Sequence, residues 1–188
     1  IVLASLLGLA IALGTEPAAE VDTRFSDLTL ARSMARRDAI TRSVILLVSV
    51  VALLLAAMTA ATWTGLACCT PADAERPSFA LIGSLASALG AVVLCWGSIA
   101  LAIASGAKRR ATATGATAIT ALAAYLVDYL GRIWDPARLA SRLSPFHYFE
   151  PMALITGDAT NGANLAVLAA IGGAAVAVAY VRFARRDL

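Results

Sequence analysis

Four stretches of this chain carry no charged side chain at all: Ser43–Ala72, Pro77–Ala107, Ala111–Val127 and Ala159–Val181. A helix needs about 20 apolar residues, range about 17–25, to cross the hydrocarbon core of a bilayer. Each stretch reaches that range. In hydrocarbon the backbone has to satisfy its own hydrogen bonds, so only helices and closed barrels cross. The ten-residue alternation of a barrel strand is missing from all four, which predicts helices. Composition agrees: 60% of the 188 residues are hydrophobic and 14% are charged, with a mean hydropathy of +0.81. A soluble domain of this size has roughly a quarter of its residues charged, so the missing solvent is lipid. A fifth apolar run, Ile1–Thr15, has no basic segment before it and does not read as a signal peptide. It is expected to be the tail of a span that begins upstream.

The expected fold is therefore an all-α integral membrane protein, a single transmembrane domain over 1–188. About five transmembrane helices are placed near 1–14, 43–67, 79–106, 111–130 and 163–181. Between the first two lies an amphipathic hinge helix over 26–37. A loop at 132–160 is expected to hold short interfacial helices.

Orientation rests on the 15 basic residues. If the hinge is cytoplasmic, only Arg76, Arg132, Arg138 and Arg142 fall outside, and the other eleven lie inside. That bias satisfies the positive-inside rule. It also accounts for the net charge of +3 without a nucleic-acid partner. Glu16 and Glu20 at the end of the first run mark the membrane–water boundary better than an ion path, since acids deep in a span are costly. Pro17 predicts a helix start there.

The hinge reads EVDTRFSDLTLARSMARRDAITRS over 20–43. Ser26 suits an N-cap, Asp27 the positive end of a helix dipole, and Phe25 with Leu30 the hydrophobic staple. Leu28, Ala31, Met34 and Ala35 recur on one face, with Arg32 and Arg36 on another. Such a helix either rests on lipid headgroups or fills the groove of a soluble partner.

In the span after the 68–77 turn, Gly83, Gly90 and Gly97 recur every seven residues. Small residues on one stripe let a neighbouring helix approach closely. In the 132–160 loop, Asp135–Pro136 and Glu150–Pro151 predict two helix starts. Trp134, Phe146, Tyr148 and Phe149 are placed at headgroup depth. Asp128 is expected near the outer interface, paired with Arg132 one turn on. His147 is the only histidine, which removes paired-histidine metal sites. Cys68, Cys69 and Cys95 show no CxxC spacing, so neither zinc nor a disulfide framework is indicated. GxxxxGK[ST], HExxH and GxSxG are all absent, and nothing points to catalysis by this chain.

Three motifs in order carry a resemblance: DLTLARSMARRDAITRS before a long span, LSPFHYFEP before the last span, and RFARRDL at the end. Together they resemble the permease subunits of ABC-2 family ABC exporters, which often carry LLLARPVSR-like and LSPF.Y..P stretches at these places. The resemblance covers nearly the whole chain and implies six spans in the full protein. It implies that the hinge is a coupling helix docking on a separate ATPase, through Asp27, Leu28, Leu30, Arg32, Met34 and Arg36. The family's usual proline is Ser33 here. Ser144, Pro145, Phe146, Tyr148 and Pro151 match the family's short outer helices near the exit of the pathway.

The same resemblance implies an ATP-driven exporter subunit in a bacterial cytoplasmic membrane. It would pair with a second permease copy and with ATPase subunits that bind ATP and magnesium, while this chain holds no cofactor or metal. A non-transporting membrane scaffold or regulatory protein is the alternative that the residues themselves leave open.

Overall fold

The computed structural model describes residues 2–22, 36–69, 71, 77–107, 109–156 and 161–184. Among these residues every regular element is helical. In chain order they are α1 (Val2–Gly14), α2 (Glu16–Asp22), α3 (Arg36–Cys69), α4 (Phe79–Ala104) and α5 (Arg110–Ile133). Next come a 3-10 turn at Asp135–Ala137, α6 (Arg138–Ser141), a second 3-10 turn at Pro145–Tyr148, α7 (Pro151–Thr156) and α8 (Asn161–Ala184).

Among the described residues four helices are long and apolar enough to cross a membrane: Ile40–Cys69, Phe79–Ala104, Arg110–Ile133 and Gly162–Ala184. The apolar α1 has 13 residues, about 20 Å at 1.5 Å per residue. The architecture is that of a multi-pass membrane protein. Two features of the helices themselves fit lipid as the solvent. Span hydroxyls turn back on their own helix: Thr59 donates to the Leu55 carbonyl at 2.9 Å, Thr117 to Ala113 at 2.8 Å and Ser98 to Leu94 at 2.8 Å. None then needs water. Meanwhile α5 is amphipathic inside out. Its buried residues are Ala113, Thr117 and Asp128, whereas Ile119, Leu122, Leu126 and Leu130 are exposed. Large apolar groups outside and small or polar groups inside suit hydrocarbon surroundings and would be costly in water.

The hub is α4, which has no charged residue and packs against α1, α3, α5 and, most extensively, α8. Ser78 caps it, its hydroxyl accepting from the Leu81 amide at 3.2 Å. One core cluster joins Val92, Cys95, Trp96 and Leu168 to Phe146 of the loop. A second joins Ala10 of α1 to Leu47 and Val51 of α3 and Val93 of α4.

The elements alternate in direction. At one end meet the finish of α1, all of α2, the starts of α3 and α5 and the finishes of α4 and α8, through Ala18–Ala104–Ala113 and Ile40–Leu101–Ala179. At the opposite end Trp63 of α3 meets Phe79 of α4 edge to face, centroids 5.4 Å apart. The described charged residues sort to these two ends. Glu16, Asp38, Arg42, Arg109, Arg110 and Arg182 lie at the first, and Asp128, Arg132, Asp135, Arg138, Arg142 and Glu150 at or towards the second.

Two local details depart from the sequence expectations. The charged residues Arg36–Arg42 form the first turns of the same continuous helix as the span, since nothing between them and Gly65 breaks a helix. Asp135 does not cap a helix. Trp134 occupies the cap position without a side-chain bond, and the Asp135 carboxylate lies 3.7 Å from Arg138.

Candidate functional site

The two charged ends are the places where chemistry or docking is available. At the hinge end, Thr15 separates α1 from α2, and Pro17 stands in the first turn of α2 as its fixed φ favours. The Glu16 carboxylate accepts from Arg110 Nη2 of α5 at 3.0 Å. The same guanidinium group reaches the Ala12 carbonyl at 3.4 Å, and the Thr114 hydroxyl donates to that of Thr15 at 3.4 Å. Both members of the ion pair are close to half exposed, so it orients more than it stabilises. Glu16 thus has a specific partner on α5, which the sequence did not indicate. Across the same end the Thr41 hydroxyl of α3 and the Tyr180 hydroxyl of α8 share a hydrogen bond of 2.7 Å. Of the hinge residues, Asp27, Leu28, Leu30, Arg32 and Met34 lie outside the described residues, as does Ser26, and Arg36 is the first residue of α3.

The glycine stripe divides. A methyl group on Gly97 would come within 2.7 Å of Leu47 Cδ1, and one on Gly90 would run into Leu55 Cδ1, so both face α3. On Gly83 it would meet nothing. A close approach to the backbone of another helix involves a residue with no periodic signal. At Gly14 an added Cβ would lie 2.5 Å from the Gly97 carbonyl oxygen and 2.7 Å from Ala100 Cβ.

The second site is the segment after α5, which doubles back on the helix it leaves. Gly131 makes room for Ser141, whose side chain occupies the space a Cβ would take. The Ser144 hydroxyl donates to the Ala124 carbonyl at 2.9 Å and accepts from the Phe146 amide at 3.3 Å. Pro145, buried, opens the second 3-10 turn. Phe146 then stacks on Trp96 with centroids 5.3 Å apart and meets Tyr125 edge to face at 5.9 Å. Trp96 is 17 residues into α4 from Phe79, about 26 Å along its axis. Phe146 is therefore core rather than a headgroup anchor, contrary to its placement from sequence. An apolar ring beside a buried tryptophan outweighs the interfacial preference of an aromatic cluster. Tyr148 caps the return, its hydroxyl donating to the Arg142 carbonyl at 2.9 Å, and Pro151 starts α7. Trp134 does remain exposed at the turn, with Leu139 and Leu143.

The doubling back covers Asp128. Its side chain is 7% exposed, its Oδ2 accepts from Arg132 Nε at 3.0 Å, and His147 Nδ1 stands 3.5 Å from its Oδ1. The pairing with Arg132 is the one expected from the sequence, whereas the histidine contact is set by the fold alone. Beside them opens a cavity of about 300 Å³ whose lining includes Arg132, Asp135, Arg138, Ser141, His147 and Glu150. A third feature is an apolar cleft of about 390 Å³ between α3, α4 and α8, lined by residues such as Leu47, Leu94, Leu168 and Val176. No cluster of three metal-ligating side chains occurs among the described residues.

Compared with protein-family models, curated proteins and solved structures, the chain has no match.

Proposed function

We propose that this chain is the membrane-spanning permease subunit of an ATP-driven exporter of the ABC-2 type, moved by a separate ATPase. The proposal rests on the order of the three sequence motifs and, above all, on how the hinge is anchored. Residues 23–35 run between α2, tied to α5 by Glu16–Arg110, and α3, tied to α8 by Thr41–Tyr180. A load on the hinge thus has polar connections to spans on both sides. In this reading α1 belongs to a further span, giving about five in this chain. The coupling role is assigned to residues 26–37, the last two of which open α3, with Asp27, Leu28, Leu30, Arg32, Met34 and Arg36 as the docking residues.

The working unit is two permeases and two ATPases in a bacterial cytoplasmic membrane, with ATP and magnesium held by the ATPases and no nucleic acid involved. ATP binding draws the coupling helices together and rocks packed helices as rigid bodies. It does so only if the ATPase binds one arrangement better than the other. The apolar walls favour a lipid, a hydrophobic drug or a peptide as cargo.

Co-purification tests the reading. The full-length chain is expressed with its candidate ATPase, solubilised in mild detergent and captured by a tag on the permease. The ATPase should accompany it in equal amount and be lost from the Leu28→Asp/Leu30→Asp double variant. If that variant keeps both ATPase binding and transport, the coupling assignment fails. If no ATPase accompanies the unaltered chain, a lipid-resting scaffold becomes the better account.

A further inference from the structure

The buried Asp128 carboxylate is only half used. Oδ2 has Arg132, but Oδ1 has no hydrogen-bond donor among the described residues. An ionised oxygen in that position is costly, because it has lost water and gained nothing. His147 Nδ1 stands 3.5 Å from it, just beyond the range of a formed N–H···O bond.

We propose that His147 and Asp128 form a proton-operated latch that holds the returning segment against α5. Protonated, the imidazole carries N–H on both nitrogens and a positive charge, so Nδ1 donates a charge-assisted bond to Oδ1 and closes the gap. Neutral, it has one N–H and no charge, and in the Nε2–H tautomer two lone pairs face each other. The only chemical change is transfer of a proton between solvent and imidazole.

The surrounding charges fit this role. Asp128, Asp135 and Glu150 stand at this end with Arg132, Arg138 and Arg142. Asp135 and Arg138 are largely exposed and screened by solvent, which leaves Arg132 and His147 as the basic groups against the buried carboxylate. Tyr148 contributes only a ring, edge to face with His147 at 5.3 Å. The other helices packed on this turn add no charge. Residues Phe79–Ala104 of α4 have none, with Cys95 their only titratable group, and Tyr180 and Arg182 of α8 lie at its far end.

The sign of the effect is fixed. The ion pair exists while the imidazole is protonated and is lost when it gives up its proton. The segment, already docked through Phe146 and Ser144, is therefore held more tightly in acid than towards alkaline pH. The latch does not depend on the exporter reading, since it concerns only the docking of one segment on α5.

Dipolar spectroscopy on the full chain in phospholipid nanodiscs tests it. Spin labels go on the exposed positions Leu122 of α5 and Leu143 of the segment, with Cys68, Cys69 and Cys95 replaced by alanine. Between about pH 5.5 and pH 8 the ratio of long to short distances should rise roughly three- to fivefold, in keeping with a partly exposed charge pair. His147→Gln and Asp128→Asn should each remove the pH response, and Glu150→Gln should keep it. An unchanged distance distribution in the parent protein, or a response that survives Asp128→Asn, overturns the latch. Loss of the response in Glu150→Gln but not in Asp128→Asn would assign the wrong carboxylate and overturn it equally.

Discussion

Adding one methyl group at Gly14 should damage this bundle more than adding it at any glycine of the α4 stripe. The built Cβ lies 2.5 Å from the Gly97 carbonyl oxygen, 2.7 Å from Ala100 Cβ and 3.2 Å from the Leu101 amide nitrogen. Two of those three atoms are backbone of the central helix, which cannot rotate away as a side chain can. The chain must separate α1 from α4, and overpacking of this kind costs about 1–3 kcal/mol. Alanine's higher helix propensity offsets part of that, by up to about 1 kcal/mol within a helix and less at its last residue.

The glycines of α4 meet softer obstacles or none. At Gly97 and Gly90 the obstacle is the end of a leucine side chain, which can change rotamer, so the cost should be smaller. At Gly83 nothing lies within 4 Å, and alanine should be neutral or stabilising by a few tenths to about 1 kcal/mol. One kcal/mol moves the melting midpoint of a chain this long by about 2–4 °C. Melting in detergent, monitored by the loss of the monodisperse peak on size exclusion, should place Gly14→Ala about 2–8 °C below the parent. Gly83→Ala should fall at or above it. A Gly14→Ala protein as stable as the parent, beside a weakened Gly83→Ala, would refute the α1–α4 contact and with it the idea that backbone approach sets the cost.

Three further outcomes are expected. Phe146→Ala should destabilise by about 3–5 kcal/mol, the range for emptying a buried aromatic site, and should raise proteolysis of the 134–150 segment more than that of any span. Trp96→Phe should be tolerated to within about 1 kcal/mol in the same melting assay. The ring–ring packing with Phe146 largely survives, and an indole N–H that has no acceptor among the described residues is removed. For the hinge end, a double-mutant cycle of Glu16→Gln and Arg110→Gln should give a coupling of only about 0.2–1 kcal/mol that shrinks with salt, because both groups are close to half exposed. A coupling several times larger would mean that the pair is shielded in the membrane-embedded protein.

The lipid-crossing character was legible in the sequence because it depends on length and on the absence of charge, both local properties. The uncharged runs Ser43–Ala72 and Pro77–Ala107 contain most of α3 and the whole of α4, and Pro17 marked the start of α2. Pro151 likewise marked α7. Helix spacing found Gly90 and Gly97 but credited Gly83 equally, since periodicity fixes a face and not which neighbour stands opposite it. Gly14 carried no periodic signal at all. Its importance comes from α1 crossing α4 at Gly97, a meeting of positions 83 residues apart in the chain.

The same limit applies at the far end of the bundle. Aromatic composition put Phe146 at the headgroups, because an apolar ring in a polar loop reads as an interfacial anchor. What took it to Trp96 is the return of the segment along α5, made possible by the space at Gly131 and the bond from Ser144 to the Ala124 carbonyl. Asp128 and Arg132, four residues apart, could be paired from spacing alone. His147 could not be added to them, since no local rule relates a histidine to a carboxylate 19 positions earlier. Sequence determined which segments lipid would accept, through hydrophobicity and backbone hydrogen bonding. Tertiary packing decided which buried charge acquired a titratable neighbour, because only chain reversal brings such distant side chains within reach.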